Sequence, residues 1–423
     1  MASSRSVEIE EAGNRSRLDN LLAVCTTKQS FFVSLFLIAC GITIAHRPDS
    51  VTNPQFWAED GVLWYPCAYT EGLRCLAQPV VGYLQTLPRL VAFMAQFLPI
   101  VDAPALFNMV AIVIEVLPAV FLMGRRFSRI SPTARLLLVI LYLLLPNSGE
   151  VHANLTSAQW HAALLAFMVV IAQPAADLAS RNFDVVVLVL SGLTGPFCIL
   201  LFPIAVAVWW IHRSSRGRFV NMAVVAGCAV AQLSSLALTM GRQRSTAPLG
   251  ATAILLMKIV GGQVVLGFLA LRNNNLAILT IATALAIAGI AYAVVRGTME
   301  VRAFAIFSWA LLAAALVRPQ GSLSEPQWPI LATAHGIRYW MFPMLGLAVT
   351  LVWLAGTRVR LFHYVAVAIL LMNGRAMVRD FRCHPYANLN FGAYTREFSQ
   401  AKYGTTVEIP INPPGWKMQL TKH

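Results

Sequence analysis

The chain is predicted to be an all-α polytopic membrane protein, and three observations carry that prediction. Hydrophobic residues make up 58% of its 423 residues and charged residues only 12%, about half the roughly one-quarter charge content of soluble domains. Apolar runs close to the about 20 residues needed to cross a bilayer recur from one end to the other. Backbone groups inside lipid must be satisfied by helices or a closed barrel, and these runs are too long and unbroken for barrel strands.

Taken in order, residues 1–28 are polar and mixed in charge, with Arg5, Arg15, Arg17 and Lys28 ahead of the first apolar run. They lack the compact regions of a cleavable signal and are expected to be a cytoplasmic lead-in. Residues 29–373 form the membrane domain. A first span is expected at Phe31–Ala45, then a long outer loop, 48–101, and a span near Ala103–Met123. Spans near 136–146 and 158–175 flank a loop, Asn147 to Trp160, without Lys or Arg. A further pair brackets the turn Gly192-Leu193-Thr194-Gly195-Pro196, and others follow near Phe219–Met240, 275–295, 303–317, 339–356 and 361–373. Counting Ala251–Ala270 as a span would place Arg296, Arg302, Arg358 and Arg360 outside, against the positive-inside bias. That segment therefore reads as lying on the outer surface or re-entering. The count is about eleven spans, with a cytoplasmic N-terminus in the cell inner (plasma) membrane and an extracytoplasmic cap over residues 374–423.

The net charge of +14 does not point to nucleic acid. Arg125, Arg126, Arg129 and Arg135, and then Arg213, Arg216 and Arg218, sit in short clusters between apolar runs, as in cytoplasmic loops. Acidic residues number only 18, so the adjacent pair in Phe56-Trp57-Ala58-Glu59-Asp60-Gly61 stands out in the first outer loop. A carboxylate there serves as a general base if it reaches the hydroxyl it deprotonates; Asp60 is the expected base, with Glu59 orienting substrate hydroxyls or an arginine. Helix capping is the competing reading. Later in that loop, Gly82 to Ala92, with Tyr83 and Arg89, mixes polar and apolar residues as an interfacial helix does.

The second outer loop offers Glu150, His152, Asn154, Gln159 and Trp160, a mixture suited to hydrogen bonding a sugar; two metal-ligand types at this spacing make a weak metal signal. Arg338, followed by Tyr339, and Arg242, Arg244 and Lys258 are cations on the side where positive charge is scarce. Guanidinium forks suit phosphate, so a phosphate-bearing lipid is expected there. Cys67 and Cys75 share the first outer loop and form a disulfide if it faces an oxidising compartment, two free thiols being the alternative, while Cys40, Cys198 and Cys228 lie in apolar runs.

Together these residues resemble the GT-C superfamily of integral-membrane glycosyltransferases, which use polyprenyl-phosphate-linked sugars. The resemblance rests on the acidic pair of Phe56-Trp57-Ala58-Glu59-Asp60-Gly61 and the amphipathic stretch around Gly82-Tyr83-Leu84 to Pro88-Arg89-Leu90. It rests also on the multi-span body with Gly192-Leu193-Thr194-Gly195-Pro196, and on Arg338 at an outer span end. It implies an inverting transfer of a sugar to a glycan or glycolipid acceptor, with Asp60 or Glu59 as base and Arg338, helped by Arg242, Arg244 or Lys258, on the phosphate. It implies metal-independent chemistry, a divalent cation being left open. A glycan polymerase or ligase using a lipid diphosphate, and a transporter or lipid flippase with the intramembrane Glu115 at its centre, are the alternatives.

Overall fold

The computed structural model describes residues 17–26, 28–239, 245, 247–319, 325–333 and 337–423. Its helices, in chain order, are α1 Arg17–Cys25, α2 Gln29–His46, α3 Thr86–Ala95, α4 Ala103–Leu122, α5 Pro132–Leu143, α6 Ala158–Ile171, α7 Leu178–Gly192, α8 Phe197–Ile211 and α9 Arg216–Leu238. After α9 come α10 Leu276–Arg296, α11 Met299–Val317, α12 Ile337–Ala355, α13 Arg360–Arg379 and α14 Phe391–Gln400. Among the described residues seven helices (α2, α4, α9, α10, α11, α12 and α13) are long and apolar enough to cross a membrane. At the other four expected spans stand the shorter α5, α6, α7 and α8, of 12, 14, 15 and 15 residues.

Helix α6 is apolar all round, and every residue from Trp160 to Ile171 is buried, as expected of a helix enclosed by others. Around it pack α4, α7 and α8, with α12 contributing Trp340, Phe342 and Met344 to the same core. The segment expected to lie on the surface or re-enter is a short helix, Ala253–Met257, running into a π-helical stretch, Lys258–Leu266. It is packed into the bundle: a Cβ at Gly261 would stand 2.4 Å from the Leu279 carbonyl oxygen of α10. The lead-in is partly helical, and Asp19 of α1 accepts from the Thr133 N–H and hydroxyl at 3.0 and 2.9 Å, capping α5.

The 48–101 and 147–160 loops, the start of α12 and the tail gather at one end of the bundle. Gln232 of α9, fully buried, donates to the carbonyls of Leu84, Gly192 and Gly195 at 3.0–3.2 Å and accepts from the Leu84 N–H. That amide ties the first outer loop to the Gly192–Pro196 turn. An amphipathic helix, α3, stands where the sequence places one, with Leu87, Val91 and Ala95 turned inward.

Two expectations need correction. The last long helix continues to Arg379 rather than ending at 373. The chain is also not wholly helical, because β1 Thr406–Ile411 and β2 Trp416–Thr421 pair antiparallel, Thr406 opposite Thr421 and Ile411 opposite Trp416. Val407, Ile409 and Ile411 alternate inward and pack with Phe56, Trp64, Phe107 and Phe391 into a second apolar core beneath the tail.

Candidate functional site

The acidic pair is held from two sides. The Ala58 N–H donates to the Asn412 carbonyl at 2.5 Å, and the Asn412 N–H returns to the Phe56 carbonyl at 3.2 Å. Asn412 is itself fixed by two hydrogen bonds between its side-chain amide and the backbone of Ala387. Ala58 turns at φ +45°, and a π-helical turn, Asp60–Trp64, begins directly after Glu59. Gly61 is required by the tail: a Cβ there would lie 2.7 Å from Ile411 Cδ1.

The two carboxylates meet different surroundings. Asp60 is fully buried; its Oδ1 accepts from the Thr156 hydroxyl at 2.8 Å and its Oδ2 from the Leu155 N–H at 3.3 Å. Burial pushes its carboxyl up to about 8, with the Glu59 charge acting in the same direction and the Thr156 and Leu155 donors opposing. Glu59 is half-buried and makes no hydrogen bond or ion pair among the described residues. It lies near enough to Arg338 to act on that guanidinium electrostatically. The two acids thus differ in their bonding: Asp60 is held by Thr156 and Leu155, and the Glu59 carboxylate makes no hydrogen bond or ion pair among the described residues.

Opposite Glu59, Arg338 at the start of α12 donates from Nη1 to Glu150 Oε1 at 2.7 Å, and its backbone N–H reaches Glu150 Oε2 at 3.2 Å. Its guanidinium lies 5.3 Å from the Tyr339 ring centroid, and Tyr339 meets Trp160 edge to face at 5.7 Å. Trp160 is buried, and its Nε1–H has no partner among the described residues. Gln159 is half-buried and donates to the Thr156 carbonyl at 3.2 Å. The structure thus brings Glu59, Glu150, Arg338, Tyr339 and Trp160 into one neighbourhood. Arg242 and Arg244 lie outside the described residues. Lys258 opens the packed π-helical stretch and makes no ion pair among the described residues.

Other expected substrate ligands are committed to the scaffold. His152 is buried and pairs through Nδ1 with Glu115 Oε1 at 2.6 Å; Ala153 N–H reaches the other oxygen at 3.2 Å. Asn154 spends its amide on the carbonyls of Glu150 and His152 and on the Ser157 N–H. Arg89, expected on substrate, is buried and donates to the Cys75 carbonyl at 2.6 Å and to Sγ of both Cys67 and Cys75, which form a disulfide. Tyr83 sits in a tight turn bridging to Val80, away from the acidic pair in sequence and held by its own backbone.

Thr156, one of the polar residues of the second outer loop, holds Asp60 together with the Leu155 N–H, and the sequence did not single out Leu155 or Arg47. Arg47 is buried between the rings of Trp57 and Tyr386, 5.1 and 4.7 Å from their centroids, and donates to the Gly149 carbonyl at 3.0 Å. One signal for it was available, a lone arginine immediately outside the first span, where positive charge is normally scarce. Among the described residues no three His, Cys, Asp or Glu side chains gather as metal ligands do.

No protein-family model matches the chain, and no curated protein does. Among solved structures, the archaeal oligosaccharyltransferase AglB from Archaeoglobus fulgidus, in complex with an inhibitory peptide and a dolichol-phosphate, aligns over 88% of this chain at 11% identity and a TM-score of 0.44. An Archaeoglobus fulgidus oligosaccharyltransferase in complex with Zn and sulfate aligns over 88% at 12% identity and a TM-score of 0.37. The chain covers 58% and 56% of those two proteins. At TM-scores below one half such likeness has no bearing on the chemistry, which rests on the geometry above.

Proposed function

We propose that this chain is a GT-C-type membrane glycosyltransferase that moves a sugar, with inversion, from a polyprenyl-phosphate donor to a glycan or glycolipid acceptor on the extracytoplasmic side. The observation that carries the reading is the half-buried, unbonded Glu59 carboxylate in the electrostatic reach of Arg338, beside an acidic partner that is locked. Glu59 takes the proton of the acceptor hydroxyl, whose oxygen bonds to the anomeric carbon. The bond from that carbon to the donor phosphate oxygen breaks, and its electron pair leaves with the phosphate. Arg338, oriented by Glu150 and stacked on Tyr339, stabilises the charge that develops there. Phosphate leaves without a proton, so one base and one cation suffice and the scheme needs no metal. Asp60 is a positioning residue that fixes the Glu59 turn against the second outer loop. The disulfide-closed turn supports an oxidising, extracytoplasmic location for these loops.

The transporter alternative rested on Glu115. Its carboxylate is satisfied by His152, the Ala153 N–H and, at 3.4 Å, the Thr43 hydroxyl, which is the pattern of a buried structural pair. The test is transfer by the purified chain across a panel of polyprenyl-phosphate sugars and glycan acceptors. Glu59→Gln is expected to lower turnover about 10²–10⁴-fold, the usual contribution of a general base, with the melting temperature retained. Full activity of that variant, or no transfer by wild type with any donor, would sink the proposal.

A further inference from the structure

A large cavity lies at the opposite, basic end of the bundle. It has a volume of about 700 Å³, within the roughly 300–1,000 Å³ of small-molecule sites, and none of Glu59, Asp60, Glu150 or Arg338 lines it. Its walls come from α4, α5, α6, α11 and α12 and are apolar, with Leu138, Phe167, Met168 and Phe304 among them. One polar group at its wall, the Tyr142 hydroxyl, already donates to the Glu115 carbonyl at 2.6 Å. An apolar wall of this extent suits a hydrocarbon chain, whose burial against it is favourable.

The remaining polar lining comes from the short loops and helix ends at the basic end: Arg129 and Ser131 before α5, Thr298 and Glu300 at the start of α11, and Arg358 after α12. Arg129 and Arg358 are both exposed, and neither is hydrogen-bonded or ion-paired among the described residues. Two guanidinium groups against the single Glu300 carboxylate leave a positive lining at the level where helix ends meet water. We propose that this cavity binds one chain of a membrane lipid whose phosphate-bearing, anionic head is held by Arg129 and Arg358. The site is distinct from the transfer site and does not depend on that reading.

The experiment is native mass spectrometry of the full chain in detergent, delipidated and then titrated with phosphatidylglycerol or phosphatidylcholine. Wild type should bind one phosphatidylglycerol on the order of tenfold more tightly than phosphatidylcholine, given the pull of each surface Arg on an anionic head. Arg129→Gln with Arg358→Gln should erase that preference, and Ala348→Trp, which fills the cavity, should remove lipid binding. Because Ala348→Trp alters a packed helix, Ala119→Phe on α4 provides a second filling variant. The proposal fails if wild type shows no one-to-one lipid, if the double variant keeps the preference, or if both filled variants bind as before. It also fails if millimolar inorganic phosphate displaces the lipid, since the site would then be one for a free anion.

Discussion

The two ends of the bundle are built on different plans. At the loop end, hydrogen bonds join residues far apart in the chain: Asp60 to Thr156, Arg338 to Glu150, Ala58 to Asn412. At the basic end most side-chain bonds are local. Arg135 reaches the carbonyls of Met123 and Gly124, Arg302 that of Val295, and Arg218 contacts His212; the exceptions are Asp19 with Thr133, Arg126 with Asp184 and the Gln173 carbonyl, Gln173 with Ser128, and Asn221 with Asp184. Long-range polar cross-links cost more chain entropy to form than local ones, and they fix side chains relative to one another. The loop end is therefore where side chains distant in sequence are held in a fixed arrangement, whereas the basic end carries surplus positive charge at the helix ends.

Changes at the loop end should accordingly carry the larger effects. Glu115→Ala strands His152 and the Ala153 N–H in the interior, and loss of one partner of a buried pair costs about 3–5 kcal/mol. A thermal melt in detergent should fall by that amount, with transfer activity lost as the second outer loop loosens. Ile411→Ala removes a fully buried side chain that rests on Gly61; a loss of about 3 kcal/mol is expected, with reduced turnover because the tail no longer presses the acidic turn into place.

Asp60 yields a pH test. Its folded-state value, about 8, lies above its ordinary 3.8, so the native state holds a proton that the unfolded chain has already released. Stability is fully present below the ordinary value and is lost as pH rises through about 8. Melting curves of wild type should drop across that window, and those of Asp60→Asn should drop less. A steeper fall in the variant would contradict the buried placement. Smallest of all, Arg126→Ala at the basic end should cost about 1–2 kcal/mol, since the pair is partly exposed, and leave transfer unchanged. A large activity loss there would break the contrast between the two ends.

Much of the frame was legible in the sequence because apolar runs and arginine clusters report membrane depth directly. The stretch read as amphipathic, Gly82 to Ala92, overlaps the helix α3, and a turn stands at Gly192–Pro196. What escaped was pairing at a distance. Nothing near Asp60 announces that Thr156 will enclose it, and His152 resembles a sugar ligand until Glu115, 37 residues away, is brought against it by the packing of α4. Arg89 likewise looks available until the Cys67–Cys75 turn folds over it. The β-hairpin left a readable trace, the alternating Val407, Ile409 and Ile411, which Pro410 inside the run obscures.

The central claim, that Glu59 does the chemistry while Asp60 positions it, is tested most directly by comparing Glu59→Gln and Asp60→Asn in the same donor-transfer assay, each checked for folding by its melt. The account predicts that folded Glu59→Gln is inactive at every pH and that folded Asp60→Asn keeps measurable transfer. An inactive, well-folded Asp60→Asn beside an active Glu59→Gln would contradict it.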